Sequence, residues 1–271
     1  MKLAVMIAHA AWHEERSATL SRLVASLPIT PIVVSSRVKE HANVWARRFW
    51  ARAAEEGADA VLLLNDDVVP HPALIEHVAA LWELLPEEIL SLHSQMPGTR
   101  VAADAGARLV RCYFPSGPAM CMTPAIARAL LAWLETIPAG WFGGNVNEDG
   151  VIASFLWSRQ TPAYASIPAL VRHDTTTKST LGYDDQPNRT SPVDWADFPA
   201  GGWVREHAEN APYVPVPWQS DGAFRELADA LRGLTPICGF CGFGPAAVVH
   251  KERKQAGICR VCAREIARAI S

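Results

Sequence analysis

The chain has 271 residues, 49% of them hydrophobic and 20% charged, with 25 Lys and Arg against 28 Asp and Glu for a formal net charge of −3. That length and polarity allow one large domain with a buried core plus a small appendage, and they exclude disordered, collagenous and coiled-coil proteins. A net charge of −3 also excludes a molecule that is cationic over its whole surface, the usual footprint of a general polyanion binder.

In chain order, the first ninety residues alternate apolar runs with helical patterns, the signature of a parallel sheet covered by helices. Met1-Lys2 and the apolar run to Ala8 are short for a leader and pass directly into His13-Glu14-Glu15-Arg16, so residues 3–8 read as a first buried strand. A helix at 17–27, a strand at 31–35, a helix at 43–56, a strand at 60–64 and a helix at 72–85 follow, with Pro72 suited to a first helical turn. Trp45, Trp50 and Trp133 fall at helical positions and read as core. Beyond residue 88 the elements shorten. Strands are expected at 89–93 and 109–114, and a helix at 124–136 introduced by Ser116-Gly117-Pro118. A helix at 151–158 follows, then a strand at 168–173. No run reaches the roughly eighteen apolar residues that span a bilayer, so no membrane partner is expected.

The first domain is expected to cover residues 1–183. Residues 184–220 carry six of the 20 prolines together with Trp195, Trp203, Tyr213 and Trp218, too aromatic for a solvated linker. They read as a wrapping segment that, with a short helix at 224–234, extends to 237. The remaining unit, 238–271, holds Cys238, Cys241, Cys259 and Cys262 as two C-x2-C pairs seventeen residues apart. That is the spacing of a small structural zinc ribbon, and four thiolates holding Zn²⁺ imply a reducing, cytoplasmic compartment. Two disulfides or a redox dithiol fit the spacing less well. The same unit has six basic against two acidic residues, +4, leaving 19 basic against 26 acidic, −7, in the rest. A cationic zinc module suits contact with a phosphate backbone such as that of DNA. A stabilising or dimerising lid explains the charge equally well.

The chemistry concentrates in four places. Asn65-Asp66-Asp67 closes the most apolar strand, and adjacent carboxylates there repel unless a cation or hydrogen-bond donors meet them. Mg²⁺ or Mn²⁺ would suit such oxygen ligands, whereas capping of the next helix is the plainer alternative. Glu148 and Asp149 are either helix-start acids favoured by the macrodipole, worth under about 1 kcal/mol, or carboxylates placed to take a proton. Ser116 and Gly117, placed before a helix, offer backbone N–H groups as a floor for a ligand. His173, a lone histidine at a strand end, is on its own a structural or surface residue.

Together, Val-Leu-Leu-Leu-Asn-Asp-Asp-Val-Val-Pro (61–70), Asn147-Glu148-Asp149 about eighty residues later, and Pro-Ala-Leu-Val-Arg-His (168–173) resemble, in order and spacing, the motifs of GT-A fold glycosyltransferases over residues 1–180. The first acidic position is Asn65 rather than Asp, a departure from the family's DxD pattern. The resemblance implies a GT-A-like mixed α/β sheet flanked by helices and a nucleotide-sugar donor, a UDP-sugar favoured, bound through Mn²⁺ or Mg²⁺. It implies Asp67 and His173 as metal ligands and Asp66 facing the ribose or the sugar. Asp149 would be the base of an inverting enzyme, with Glu148 as alternate. Ala8 and His9 would lie beside the nucleotide base, Arg16 toward the diphosphate, and Ser35 with Arg37 after the second strand; Arg16 also fits a surface position on an amphipathic helix. Because some bacteriophage enzymes decorate hydroxymethylated pyrimidines, a hydroxymethylated base in DNA is one candidate acceptor, a protein or glycan another. A catalytically inert binding module on the same scaffold is the competing class. A nucleotidyltransferase is disfavoured, because no Gly-rich, Lys- or Arg-bearing phosphate loop follows the first strand.

Overall fold

Strand β1 (Leu3–Ala10) lies at the centre of a parallel trio, with β2 (Ile32–Ser36) on one side and β3 (Ala60–Asn65) on the other. The structure, a computed structural model, describes residues 1–40, 42–136, 148–159, 161–178, 190–193, 195 and 202–214, and the backbone of 248–250 and 253–258. Side chains of the central strands alternate between two cores. Met6, Val61 and Leu63 enter one, and Val5, Ile7, Leu62 and Leu64 the other. An uninterrupted apolar run such as 60–64 needs cover on both faces, and helices supply it. α2 (Ala42–Ala54) meets the first core with Ala46, Phe49, Trp50 and Ala53, a stripe at helical spacing. α5 (Pro124–Glu135) and α6 (Glu148–Arg159) contribute to the same core. α1 (Arg16–Ser26) and α3 (Leu74–Leu84) cover the other face, α3 through Leu74, Val78, Leu81 and Trp82.

Beyond β3 the sheet becomes mixed. β7 (Ala119–Met122) runs antiparallel to β3 and to β5 (Leu90–Ser91); β8 (Ala163–Ser166) is parallel to β5, and β6 (Leu109–Cys112) antiparallel to β8. The seven-stranded order is β2-β1-β3-β7-β5-β8-β6. A separate two-stranded sheet pairs β4 (Val68–Pro70) with β9 (Val171–His173). This is the mixed α/β sheet flanked by helices that the sequence leads one to expect.

Several elements differ from expectation. β4, β7, β8 and α4 (Pro97–Asp104) have no counterpart in the sequence pattern, and the strand expected at 89–93 shrinks to Leu90–Ser91. Ser116 and Gly117 therefore lead into β7, not into a helix. α5 begins at Pro124, where the Thr123 side chain caps it by accepting the Ile126 N–H at 2.9 Å. Pro72 lies in the turn before α3. Of the Pro- and Trp-rich segment, residues 202–214 carry α7 (Arg205–Glu209) and end on the sheet edge. There Tyr213 bridges to Arg111 and Val214 N–H donates to the Arg111 carbonyl at 2.9 Å. Trp195 lies under the Arg172 guanidinium, 3.7 Å from it. The helix expected at 224–234 and all four cysteines of the tetrad lie outside the described residues. Between the two cysteine pairs the backbone forms an antiparallel pair, β10 (Val248–His250) and β11 (Arg253–Ile258).

Trp50 is 2% exposed in the first core. Trp50→Ala should lower unfolding free energy by about 3–5 kcal/mol, read as a fall in urea midpoint at unchanged slope.

Candidate functional site

The carboxyl end of β3 delivers Asn65, Asp66 and Asp67 to the sheet edge, and each is used differently. Asp66, 3% exposed, has both oxygens bound by the protein: Oδ1 accepts from Arg16 Nη1 at 2.7 Å, and Oδ2 from the Ala10 N–H at 2.9 Å and His9 Nδ1 at 2.8 Å. A carboxylate only accepts, so His9 presents Nδ1 as N–H. Asp66 is thus an anchor for β1 and α1 rather than a group open to ribose or sugar. Arg16 is buried, not on the helix surface. Its Nη1 also reaches Asp67 Oδ2 at 2.9 Å, and its Nη2 donates to the Lys178 carbonyl at 3.0 Å. One guanidinium thereby answers two buried carboxylates, which would otherwise bear their full desolvation cost.

His173 reaches Asp67 through strand pairing. In the β4–β9 ladder Val68 stands opposite His173, and the Asp174 N–H donates to the Asp67 carbonyl at 2.7 Å. This places His173 Nδ1 3.4 Å from Asp67 Oδ2, buried and without a hydrogen bond among the described residues. Behind it stands His93, a residue the sequence did not mark. The His93 and His173 rings meet edge to face with centroids 5.4 Å apart. His93 Nδ1 lies 3.1 Å from the Val171 carbonyl, which can only accept, so Nδ1 carries the proton and Nε2 the lone pair. That lone pair is buried without a partner among the described residues. Burial, and after it the neighbouring His173, hold the His93 pKa down to about 3, so the ring is neutral.

The second wall is the start of α6. Asn65 Nδ2 donates to Glu148 Oε1 at 3.4 Å. Gly117 backs onto both acids, for a Cβ there would lie 2.6 Å from Glu148 Oε1 and 2.2 Å from Asp149 Oδ1. A side chain at 117 would make the two carboxylate ends shift, whereas glycine leaves them where they stand. Desolvation, reinforced by the charge of Asp67 and opposed by the Asn65 hydrogen bond, raises Glu148 to about 7. The Ser116 N–H is not a free donor, because it is taken by Ser91 Oγ at 3.1 Å; the Ser116 hydroxyl is the buried atom left without a partner among the described residues.

The remaining expected positions are peripheral. The Ala8 carbonyl accepts the Asp66 N–H at 3.0 Å, fixing the turn after β3. Ser35 pairs with His9 in the ladder and is exposed, as is Arg37. The structure therefore gathers His9, Arg16, Asp66, Asp67, Gly117, Glu148, Asp149 and His173 at one edge of the sheet and leaves Ser35 and Arg37 in solvent. Arg16's partners, fifty residues away, carry no local signal, and neither does His93. Among the described residues no three His, Cys, Asp or Glu groups stand together as a ready-made metal cage.

Because the folded chain holds a proton on Glu148 up to about pH 7 that an unfolded chain releases near the ordinary 4.5, this residue's contribution to stability declines as pH rises through that interval. Glu148→Gln removes the decline. Melting temperatures measured from about pH 5 to about pH 7.5 should show the wild type losing ground to the variant. A constant difference across that range would contradict the raised pKa.

No protein-family model and no curated protein matches this chain. Among solved structures it is similar to A197 from STIV, with TM-score 0.40 and 16% identity over 64% of this chain and 84% of that one. It is likewise similar to a glycosyltransferase involved in the glycosylation of the major capsid of PBCV-1, with TM-score 0.40 and 13% identity over 78% of this chain and 100% of that one.

Proposed function

We propose that the chain is a metal-dependent glycosyltransferase that moves a sugar from a nucleotide-sugar, a UDP-sugar favoured, to an acceptor hydroxyl. The meeting of Asp67 with His173 carries this reading. Two donors sharing one ion at about 2.1 Å stand about 3 to 3.5 Å apart, and Asp67 Oδ2 and His173 Nδ1 stand 3.4 Å apart with no hydrogen bond at Nδ1 among the described residues. Such a pair fits Mn²⁺ or Mg²⁺, which commonly take few protein ligands and complete their shell with phosphate oxygens and water. When bound, the cation supplies charge neutralisation to the departing diphosphate.

The chain's own residues do the rest. Arg16 brings a second positive charge to the same edge. Glu148, raised to about 7, is the better general base of the two α6 acids, since a base with a pKa near the working pH both stays available and accepts a proton readily. Asp149, the first choice by resemblance, shares the Gly117 wall with it. The cationic unit 238–271, read as a four-cysteine Zn²⁺ module, makes DNA bearing hydroxymethylated bases the acceptor we favour.

Purified protein given Mn²⁺ with UDP-, GDP- and CDP-sugars should release nucleoside diphosphate. Asp67→Ala should cut that turnover at least about 100-fold, and unchanged turnover would remove Asp67 from the site. Titration with duplex DNA should show binding that weakens steeply as salt is raised. If no such binding appears, the acceptor is not DNA and the donor chemistry stands by itself.

A further inference from the structure

Asp67 Oδ2 has two claimants. It faces His173 Nδ1 at 3.4 Å, where a shared cation would lie, and it is held by Arg16 Nη1 at 2.9 Å. A guanidinium and a divalent cation cannot both keep one buried carboxylate oxygen at such distances, because like charges that close in a weakly screened interior repel strongly. In the described structure Arg16 has the oxygen.

Arg16 is also rich in unused donors. A guanidinium offers five N–H groups. Nη1 serves both aspartates and Nη2 the Lys178 carbonyl, whereas Nε, on a side chain only 3% exposed, has no hydrogen-bond partner among the described residues. A buried donor fork left short of acceptors matches a phosphate group, which presents several anionic oxygens in bidentate geometry.

Resting on the metal-dependent reading above, we propose that Arg16 is an exchangeable counter-ion. It holds Asp67 Oδ2 while the site is empty, and it passes to the diphosphate when a nucleotide binds, which vacates that oxygen for the metal. Asp66 is the pivot: Arg16 Nη1 keeps its bond to Oδ1, while the Ala10 N–H and His9 fix Oδ2. Metal and nucleotide then bind as a coupled pair, each raising the affinity of the other by the same factor, as linkage requires.

The test reads Mn²⁺ binding by electron paramagnetic resonance on the full chain, with no sugar and no turnover. Without nucleotide, Arg16→Gln should bind Mn²⁺ at least about tenfold more tightly than wild type, and Asp67→Asn introduced on top should abolish the gain. Arg16→Lys should fall between, since an ammonium reaches one carboxylate at a time. Thermal melts establish that each variant is folded. If Arg16→Gln does not fold, Arg16→Lys decides: an affinity equal to that of wild type overturns the exchange. Equal Mn²⁺ affinity in wild type and folded Arg16 variants overturns the exchange alone. No Mn²⁺ binding by any folded form overturns the metal-dependent reading and the exchange together.

Discussion

Two carboxylates adjacent in the chain, Asp66 and Asp67, are 3% and 6% exposed at the end of β3, and the neighbouring architecture is arranged around satisfying them. Arg16 opens α1, yet α1 has no side-chain cap at its start. The position of that helix relative to the sheet is set by an ion pair across fifty residues instead of by local capping. The same guanidinium binds the Lys178 carbonyl, and Arg22, six residues further along α1, pairs with Asp174 at 2.6 Å. Helix α1 thus clasps the stretch that follows His173, and the charge demand of β3 organises both. Arginine suits the task better than lysine, because only a planar fork can answer two carboxylates and a carbonyl from one fixed orientation.

The mixed sheet explains why the second acid wall meets the first. Since β7 is antiparallel to β3, its amino end lies at the carboxyl end of β3, where the Asn65 N–H donates to the Pro118 carbonyl at 2.9 Å. Gly117 consequently arrives beside Asn65 and against α6. β5 ends at the same edge, where the Leu92 carbonyl accepts the Leu170 N–H at 2.7 Å and His93 is seated behind His173. Strand ends from four separate stretches converge there, the edge at which open α/β sheets place their ligands.

Long, buried elements were legible in the sequence. The run 60–64, the stripe 46, 49, 50, 53 and the helix beginning near Pro124 all announce themselves by hydrophobic pattern. The missed elements lacked such a pattern. β4 has only three residues and β8 four, β7 is Ala-Met-Cys-Met without a β-branched side chain, and α4 starts with Pro97-Gly98, a pair that reads as a break; the strands expected at 89–93 and 168–173 are present but shortened to β5 and β9. The acids at 66, 67, 148 and 149 were visible as types, and their spacing gave their company. Their division of labour was not visible, because it depends on which donors meet which oxygen. Asp66 is consumed by His9, Ala10 and Arg16, and only the folded chain brings those together.

The β4–β9 ladder is three residues long, and it stores the site's identity as a phase relation. A slip of one position would set Arg172 or Asp174 opposite Val68 in place of His173, and it would turn each side chain to the other face. The edge would then hold a second fixed cation, or one more carboxylate. Leu170 and Val171, both wholly buried, and the hydrogen bonds from His71 N–H to Leu170 and from Asp174 N–H to Asp67 hold the phase. Gain or loss of a single residue between Ser166 and His173 would thus rewrite the charge of the edge, and it would also pull Ile167, Leu170 and Val171 out of the cores they fill. In this short connection, chain length decides the chemistry of the edge as directly as any side chain does.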